Sequence, residues 1–248
     1  MTTKKDRRTF KALSPEARNR NGVSAESTDK PWGIDVSHHQ GSIDWEKVAA
    51  TGCAFAYLKA TEGATYKDST YKRNRARAQA NGIITGAYHF FRTSASVESQ
   101  LDNFAAALGT VAVGQLPPVI DVEVPSQWTR LSVARRNELV YDFIEGIRSR
   151  LGRHINPIVY LSSSFADDVL KNDPGLKDHP LWLAHYTTKA KPRVPAPWKV
   201  WTFWQWTERG RVDGISTYCD VNRFNGSRER LSTLLVKEDI IQLGVNNQ

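Results

Sequence analysis

Cysteine is scarce in this sequence, which holds only Cys53 and Cys219 among 248 residues. Two thiols cannot form the disulfide framework that holds small secreted domains, so the fold must depend on a hydrophobic core. The two residues could pair, but we expect both to be free structural thiols, because Cys53 precedes an apolar strand and Cys219 lies within one. With 40% hydrophobic and 24% charged residues, the chain is long enough for one large domain.

Long apolar runs are also missing. No stretch is long enough to span a bilayer, and the first thirty residues lack the apolar segment of a secretory signal. We therefore expect a soluble protein with no membrane insertion and no evident Sec signal. Residues 1–30 carry eight basic and four acidic residues without apolar periodicity, so we expect a basic, disordered N-terminal arm.

Acidic residues are outnumbered, since 34 Lys and Arg against 26 Asp and Glu give a net charge of +8. Such a charge favours a polyanionic partner, and nucleic acid, an anionic membrane and an anionic cell wall all satisfy that condition. The chain has no basic-aromatic RNA motif and no helix-turn-helix signature, which argues against nucleic acid. The eight Trp and eight Tyr favour a sugar ligand, because flat rings stack on pyranose faces, although many of them must be core.

From Pro31 onward, short apolar runs alternate with helical patterns, which is typical of parallel strands joined by crossover helices. The predicted strands are 32–37, 54–61, 83–90, 118–124, 157–162, 181–186, 200–206 and 218–224. The predicted helices are 44–51, 69–81, 96–108, 132–151 and 164–170. Eight strands are enough to close a barrel.

The segment 187–199 breaks this rhythm, because Pro192, Pro195 and Pro197 prevent a regular helix there. The last connection, 207–217, is short and contains glycine. We therefore expect an α/β fold, a TIM-like barrel of five strand-helix units followed by three strands joined by loops. The direction of those last strands stays open. The barrel domain should occupy 31–235 and leave a short tail at 236–248.

Two carboxylates interrupt the apolar strand PPVIDVEV at 117–124. Side chains alternate along a strand, so Asp121 and Glu123 should face one cavity, with Cα atoms roughly 6.5 Å apart. Like charges in a dry site raise the pKa of at least one group, as a general acid working near neutral pH requires. Pairing of both acids with Lys or Arg at the barrel rim is the structural alternative.

Two further acids occupy equivalent positions in the predicted barrel. Asp35 lies near the end of the first strand and Asp220 near the end of the last one. The first and last strands are neighbours in a closed barrel, and active sites of such barrels collect at one end of the strands. The sequence therefore predicts a cluster of four carboxylates.

Seven motifs in register resemble the glycoside hydrolase family 25 lysozymes, or Chalaropsis-type N-acetylmuramidases, over about 31–234. They are WGIDVSHHQGSIDW, FAYLKATEG, GAYHFF, PPVIDVEV, PLWLAHY, WTFWQWT and DVNRFNG. The resemblance implies a lysozyme that cleaves the glycosidic bond between N-acetylmuramic acid and N-acetylglucosamine with retention. It also implies Glu123 as proton donor, Asp121 as the acid beside it, and Asp35 and Asp220 as outer acids.

The route to retention stays open. A carboxylate nucleophile must lie about 5 to 5.5 Å from the acid, whereas in a substrate-assisted reaction the acetamide of the sugar attacks and a carboxylate orients it. The resemblance favours the second route, with Asp121 as orienting partner. Other strand residues are expected to contact substrate, with core packing or neutralisation of the acids as the alternative: Tyr57, Lys59, Tyr88, Trp182, Tyr186 and Gln205.

No cofactor or metal is expected. His38 and His39 should face opposite sides of a strand end, and no further His or Cys has ligand-like spacing. The expected partner is cell-wall peptidoglycan, bound by a monomer that reaches the wall by phage-type release, like an endolysin, or by another export route. A chitinase-like hydrolase is one alternative, but it does not require the first-strand and last-strand aspartates. A non-catalytic glycan-binding module is the other, and it does not require a complete set of acids.

Deletion of residues 1–30 should leave the melting temperature nearly unchanged, because the arm contributes no predicted strand or helix. If the positive arm docks the enzyme to anionic walls, the truncated enzyme should lose activity on whole walls. That loss should be largest at low ionic strength, where charge is least screened. Initial rates of wall lysis by both forms across a salt series measure the effect, and equal rates at every salt concentration would exclude docking.

Overall fold

The computed structural model describes residues 30–109 and 111–237, so the expected arm up to residue 29 and the tail from residue 238 lie outside the described residues. Its strands are β1 (Trp32–Val36), β2 (Phe55–Glu62), β3 (Tyr66–Lys67), β4 (Ile84–Phe90), β5 (Val119–Asp121), β6 (Ile158–Ser162), β7 (Leu181–Ala184), β8 (Phe203–Gly210) and β9 (Cys219–Phe224). They form one sheet in the order β1-β9-β8-β7-β6-β5-β4-β2-β3, and β1 also pairs with β2. That pairing closes the predicted TIM-like barrel, and β3 lies outside the ring as a short extension beside β2.

Helices follow the first five barrel strands. The α-helices are α1 (Trp45–Ala50), α2 (Tyr71–Ala80), α3 (Val97–Leu108), α4 (Pro125–Trp128), α5 (Val133–Leu151) and α6 (Arg228–Thr233). Both α4 and α5 follow β5, and α6 follows the last strand. The longer ones begin where the sequence places a capping serine, since Ser96 and Ser132 each accept a hydrogen bond from a first-turn amide. The predicted helix at 164–170 is a single π-helical segment, Phe165–Val169, and completes the fifth strand-helix unit.

The last two strands of the barrel form an antiparallel hairpin. β8 runs parallel to β7, whereas β9 is antiparallel to both β8 and β1. The connection from Gly210 to Cys219 contains no helix, and a crossover to a parallel neighbour would need a longer segment. β8 also continues past its predicted end at residue 206, because it pairs with β9 as far as Gly210.

The reversed direction of β9 places the end of the barrel at the amino-terminal mouth of the parallel strands. Leu231 of α6 packs there with the core of the barrel interior. Beyond the helix, Val236 N donates to Gln115 O and Gly114 N donates to Val236 O, both at 2.9 Å. The segment after β9 therefore closes this mouth and leaves the opposite one open.

Apolar side chains form two cores, one outside and one inside the barrel wall. The outer core lies between the strands and the helices and contains Ile34, Val36 and Trp45. The inner core is largely aromatic, and its large members are Phe55, Tyr57, Tyr160, Trp182, Phe203 and Phe224. Tyr57 stacks on Trp182 with ring centres 4.6 Å apart. The barrel is therefore a packed cylinder whose interior supports one mouth.

Glycine at two strand positions makes room for these rings. A Cβ on Gly33 would lie 2.3 Å from the carbonyl oxygen of Phe55, and one on Gly86 would lie 2.2 Å from Cε1 of Tyr57. Neither approach is sterically possible without movement of the inner core. Packing of the inner core therefore requires glycine at both positions.

Cys53 and Cys219 are both free and buried, which confirms the expectation. Burial raises the pKa of each thiol to about 12, so both remain protonated at neutral pH and act as small core residues. Among the described residues, no helix combines the length and the apolar character needed to cross a membrane.

Gly86→Ala should destabilise the fold, because the added methyl group overlaps the Tyr57 ring inside the barrel. Overpacking of this kind costs about 1 to 3 kcal/mol, which corresponds to roughly 3 to 10 °C in melting temperature. Ser94→Ala, at an exposed turn position, is the control and should melt like the parent. A Gly86→Ala protein with an unchanged melting temperature would contradict this packing.

Candidate active site

The four predicted acids lie together at the carboxyl ends of the parallel strands. Asp35 of β1 is the direct register partner of Asp220 of β9, and Asp121 is the last residue of β5. Repulsion from Glu123 contributes to the raised pKa of each of the other three. The structure therefore brings all four carboxylates into one cluster.

Glu123 reaches the cluster from a turn rather than from a strand. β5 ends at Asp121, so the strand predicted for 118–124 is wrong beyond that residue. Val124 has a φ of 58° and Pro125 begins α4, which together turn the chain out of the sheet. The two acids still lie close enough to interact, because each contributes to the shifted pKa of the other. The prediction of a shared cavity holds for this different local reason.

Two amides fix the carboxylate of Asp35. Gln205 Nε2 donates to its Oδ1 at 3.2 Å and to its Oδ2 at 3.0 Å, and Asn222 Nδ2 donates to Oδ2 at 2.7 Å. Burial nevertheless raises the pKa of Asp35 to about 6. Burial and the charge of Asp35 raise the pKa of Asp220 to about 9. Near pH 7, Asp35 is therefore ionised while Asp220 keeps a proton.

Asp121 and Glu123 form a second acid pair with an open hydrogen-bonding position. Asp121 is 5% exposed, and its Oδ1 accepts no hydrogen bond from the described part of the chain. Burial, followed by repulsion from Glu123, raises the pKa of Asp121 well above its ordinary value. Burial also raises the pKa of Glu123, which is half-buried. A buried oxygen of this kind needs a donor, which a bound substrate can supply.

A network of two cations and one acid borders this pair. Lys59 Nζ lies 2.6 Å from Glu62 Oε2, and Arg92 Nε donates to Glu62 Oε1 at 2.8 Å. Gln100 holds the backbone of Arg92, accepting from its N–H at 2.8 Å and donating to its carbonyl at 2.9 Å. Lys59 lowers the pKa of both acids in the pair, and Arg92 lowers that of Glu123. The cations therefore counteract part of the effect of burial.

Two residues predicted to contact substrate lie inside the barrel instead. Tyr57 has no exposed surface, and its hydroxyl donates to the carbonyl of Pro117 at 3.3 Å. Trp182 is 2% exposed, and its Nε1 donates to Asn222 Oδ1 at 2.7 Å. Neither ring can reach a sugar from the inner core. Trp182 acts through Asn222, which it orients toward Asp35.

Gln205 is likewise occupied by protein groups. Its amide nitrogen serves Asp35, while its Oε1 accepts from the hydroxyls of Tyr160 at 2.8 Å and Tyr186 at 2.7 Å. Its predicted contact with substrate is therefore replaced by a positioning role. Lys59 is bound to Glu62 and lowers the pKa of both acids. This matches the alternative given for Lys59 in the sequence analysis, which was neutralisation of the acids.

Tyr88 and Tyr186 lie at the open mouth. Tyr186 is 50% exposed, and Tyr88 is half-buried against Trp182. Burial first, and then the charges of the acid cluster, raise the pKa of both phenols. Both rings therefore border the acids, and both remain candidates for contact with a sugar.

Sequence reasoning missed several residues of the site, among them Asn222, Tyr160 and Arg92. Asn222 stands two positions after Asp220, so alternation along the strand could have placed both on the inner face. Tyr160 occurs in an apolar run without a neighbouring acid, and Arg92 follows β4 in a loop. No sequence signal marks these two, and only their contacts identify them.

His38 and His39 lie in a short 3₁₀ helix, His38–Gln40, rather than on a strand end. The prediction that they face opposite sides is wrong, since their ring centres are 4.0 Å apart. His38 Nδ1 instead lies 2.8 Å from Asp68 Oδ2. Within residues 30–109 and 111–237, no group of three or more His, Cys, Asp or Glu side chains is placed to hold a metal ion.

Known proteins match this chain over most of its length. Residues 34–215 match the family model of the glycosyl hydrolases family 25. Lysozyme M1 of Streptomyces globisporus is 40% identical over 209 residues, which cover 82% of this chain and 70% of that protein. The crystal structure of the bacterial lysozyme from Streptomyces coelicolor has a TM-score of 0.78 at 39% identity, covering 84% of this chain and 97% of that one. A family GH25 lysozyme from Aspergillus fumigatus has a TM-score of 0.74 at 29% identity, with 83% and 98% covered.

Asp220→Asn should raise the melting temperature, and the gain should grow from pH 4 to pH 9. A pKa of about 9 in the folded protein means that the folded state keeps a proton which the unfolded chain releases above about pH 4. Folding therefore becomes less favourable as the pH rises through this range, and asparagine removes that dependence. We expect a gain on the order of 5 °C at pH 8, measured by thermal unfolding across pH.

Asp213→Asn is the matched control, because Asp213 is exposed in the connection between β8 and β9. It should leave the pH dependence of unfolding as it is in the parent. A gain for Asp220→Asn that does not change with pH, or one that Asp213→Asn reproduces, would refute the buried-proton assignment.

Proposed function

Because this chain belongs to glycosyl hydrolase family 25, we propose that it is a lysozyme that cleaves peptidoglycan with Glu123 as general acid. The bond cleaved joins N-acetylmuramic acid to N-acetylglucosamine. One observation carries the assignment of residues: Glu123 adjoins Asp121, whose buried Oδ1 has no partner among the described residues. A proton donor and an unsatisfied acceptor thus lie side by side at the open mouth of the barrel.

Glu123 supplies the proton to the leaving oxygen. Burial raises its pKa and so favours the protonated form, while partial exposure leaves it accessible to a ligand. Lys59 and Arg92 limit the rise of its pKa, so the proton remains transferable. A group with a pKa near the working pH is an efficient acid in the first step and an efficient base in the second.

Asp121 orients the acetamide of the sugar at the cleavage point. Its free Oδ1 can accept a hydrogen bond from the acetamide N–H, which directs the acetamide oxygen at the anomeric carbon. That oxygen forms the new bond as the glycosidic bond breaks, and water then opens the resulting ring with retention of configuration. When the proton that the two acids share is on Glu123, the negative charge left on Asp121 also stabilises the positive charge that develops in this step. Direct attack by a carboxylate is the competing route.

Asp35 and Asp220 shape the field in which this acid works. Asp35, fixed by Gln205 and Asn222, is the ionised member and Asp220 the protonated one near pH 7. The charge of Asp35 holds the proton on the other acid pair more tightly, since like charges raise a pKa. Asp220, half-buried, can donate a hydrogen bond to a sugar hydroxyl.

The open mouth provides the remaining contacts. Tyr186, half exposed, offers a ring for stacking on a sugar face, and Tyr88 lines the cleft beside the acids. The working unit is a monomeric barrel over 31–235 that acts on the bacterial cell wall, because every acid of the cluster comes from this one chain.

Glu123→Gln should reduce lysis of purified cell walls by roughly two to four orders of magnitude while wall binding persists, since the amide keeps the shape but has no transferable proton. Asp121→Asn should also be severely impaired, because it loses the charge and the second acceptor for the acetamide. Initial rates from a turbidity assay, with circular dichroism to confirm folding, measure both. A folded Glu123→Gln enzyme with near-parental lysis would remove Glu123 as general acid.

Two further measurements test the reaction itself. Walls in which the acetyl group is removed from muramic acid should resist the enzyme, because the attacking acetamide is gone. A covalent glycosyl adduct of the denatured protein in mass spectrometry would overturn the acetamide route in favour of a carboxylate nucleophile. Chitin is the control substrate, and faster hydrolysis of chitin than of peptidoglycan would reassign the substrate.

A further inference from the structure

Helices do not cover the outer face of the β8–β9 hairpin. The first five barrel strands are each followed by a helix, whereas β7, β8 and β9 are joined by loops. Alternation sorts the side chains of the hairpin between the two faces. Gln205 and Asn222 point into the barrel toward Asp35, so their neighbours Trp204 and Arg223, which pair across the hairpin, point outward.

Three tryptophans are partly exposed on or beside this outer surface. Trp32, Trp201 and Trp206 each pack against the outer core yet remain only half-buried. Their indole N–H groups have no acceptor among the described residues. Trp204 differs, since it is 2% exposed and its Nε1 donates to His185 O at 2.8 Å. Trp204 is thus a core residue, whereas the other three keep ring surface and a donor available.

Two cations lie against these rings. The guanidinium carbon of Arg223 is 4.9 Å from the ring centre of Trp206 and 5.3 Å from that of Trp204. Lys30 Nζ is 5.9 Å from the ring centre of Trp201. Both charged side chains are exposed and, within the described ranges, neither forms an ion pair. The surface therefore combines flat apolar rings with uncompensated positive charge.

The acidic side chain of Glu208 in β8 acts on the catalytic mouth rather than on this outer surface. Glu208 contributes to the raised pKa of Asp220 and of Tyr186, which places its charge at the catalytic mouth. Residues 1–29, which precede Lys30 in the sequence, include seven basic and four acidic residues. A matching partner must supply flat apolar faces, acceptor oxygens and negative charge together.

We propose that this tryptophan–arginine face, made of Lys30, Trp32, Trp201, Trp206 and Arg223, binds a peptidoglycan strand outside the catalytic cleft. Amino sugar rings offer apolar faces to the indoles and oxygens to their N–H groups, and the stem peptides end in carboxylates that match Arg223 and Lys30. The proposal rests on peptidoglycan as the substrate. A second contact with the same insoluble polymer keeps the enzyme at its surface between cleavages and raises the effective substrate concentration.

Cosedimentation with purified peptidoglycan stripped of teichoic acid tests the proposal. Every protein carries Glu123→Gln, and release of soluble fragments is monitored, so that binding is scored only where no cleavage occurs and a wrong catalytic assignment is recognised separately. Arg223→Gln and Trp206→Ala should each weaken binding roughly three- to tenfold, the range expected for one lost cation or ring contact. Trp206→Phe, which retains a flat ring, should recover most of the loss.

Arg153→Gln is the matched control, because Arg153 is exposed in the turn that follows α5 and its loss changes the net charge equally. With Glu123 restored, the Arg223 and Trp206 variants should cleave short soluble peptidoglycan fragments at the parental rate but whole walls more slowly. Unchanged cosedimentation would overturn the proposal. So would an equal loss with Arg153→Gln, a loss seen only with teichoic-acid-bearing walls, or slower cleavage of the soluble fragments.

Discussion

Repulsion among four carboxylates at one mouth of the barrel is the constraint around which the site is built. Burial favours the neutral form of every one of these carboxylates. Ionisation of all four would add strong mutual repulsion. Amides of Gln205 and Asn222 stabilise charge on Asp35, while Lys59 and Arg92 act on the other pair. Each acid therefore reaches a different proton affinity in a small volume.

The aromatic interior of the barrel is part of the same arrangement. Trp182 stacks on Tyr57 and holds Asn222, and Tyr160 holds Gln205, so both amides that reach Asp35 are anchored in the inner core. Rigid packing below the site keeps these donors from turning toward water. A mutation deep in the barrel can therefore change the chemistry at its mouth through a single intermediate residue.

Much of this could be predicted from the sequence, because the acids are marked by their position on apolar strands. Asp35, Asp121 and Asp220 follow from strand alternation and closure, and the loop-joined strands follow from the prolines at 187–199. What could not be predicted depends on contacts between distant segments. The sequence predicts Tyr57 as a sugar ligand, but its side chain is buried in the inner core. Arg92 is identified only by its pairing with Glu62. β5 ends at Asp121 because the backbone turns at Val124, and a valine does not predict the positive φ of that turn.

The reversal of β9 has a consequence for how the molecule can be extended. Since β1 starts and β9 ends at the same mouth, the first described residue and the segment near Val236 both lie at the end opposite to the acids. A fused domain, an affinity tag or an immobilisation tether joined at either of these points would project away from the cleft. The polymer would then have unobstructed access to the cleft, whichever of the two points carries the attachment.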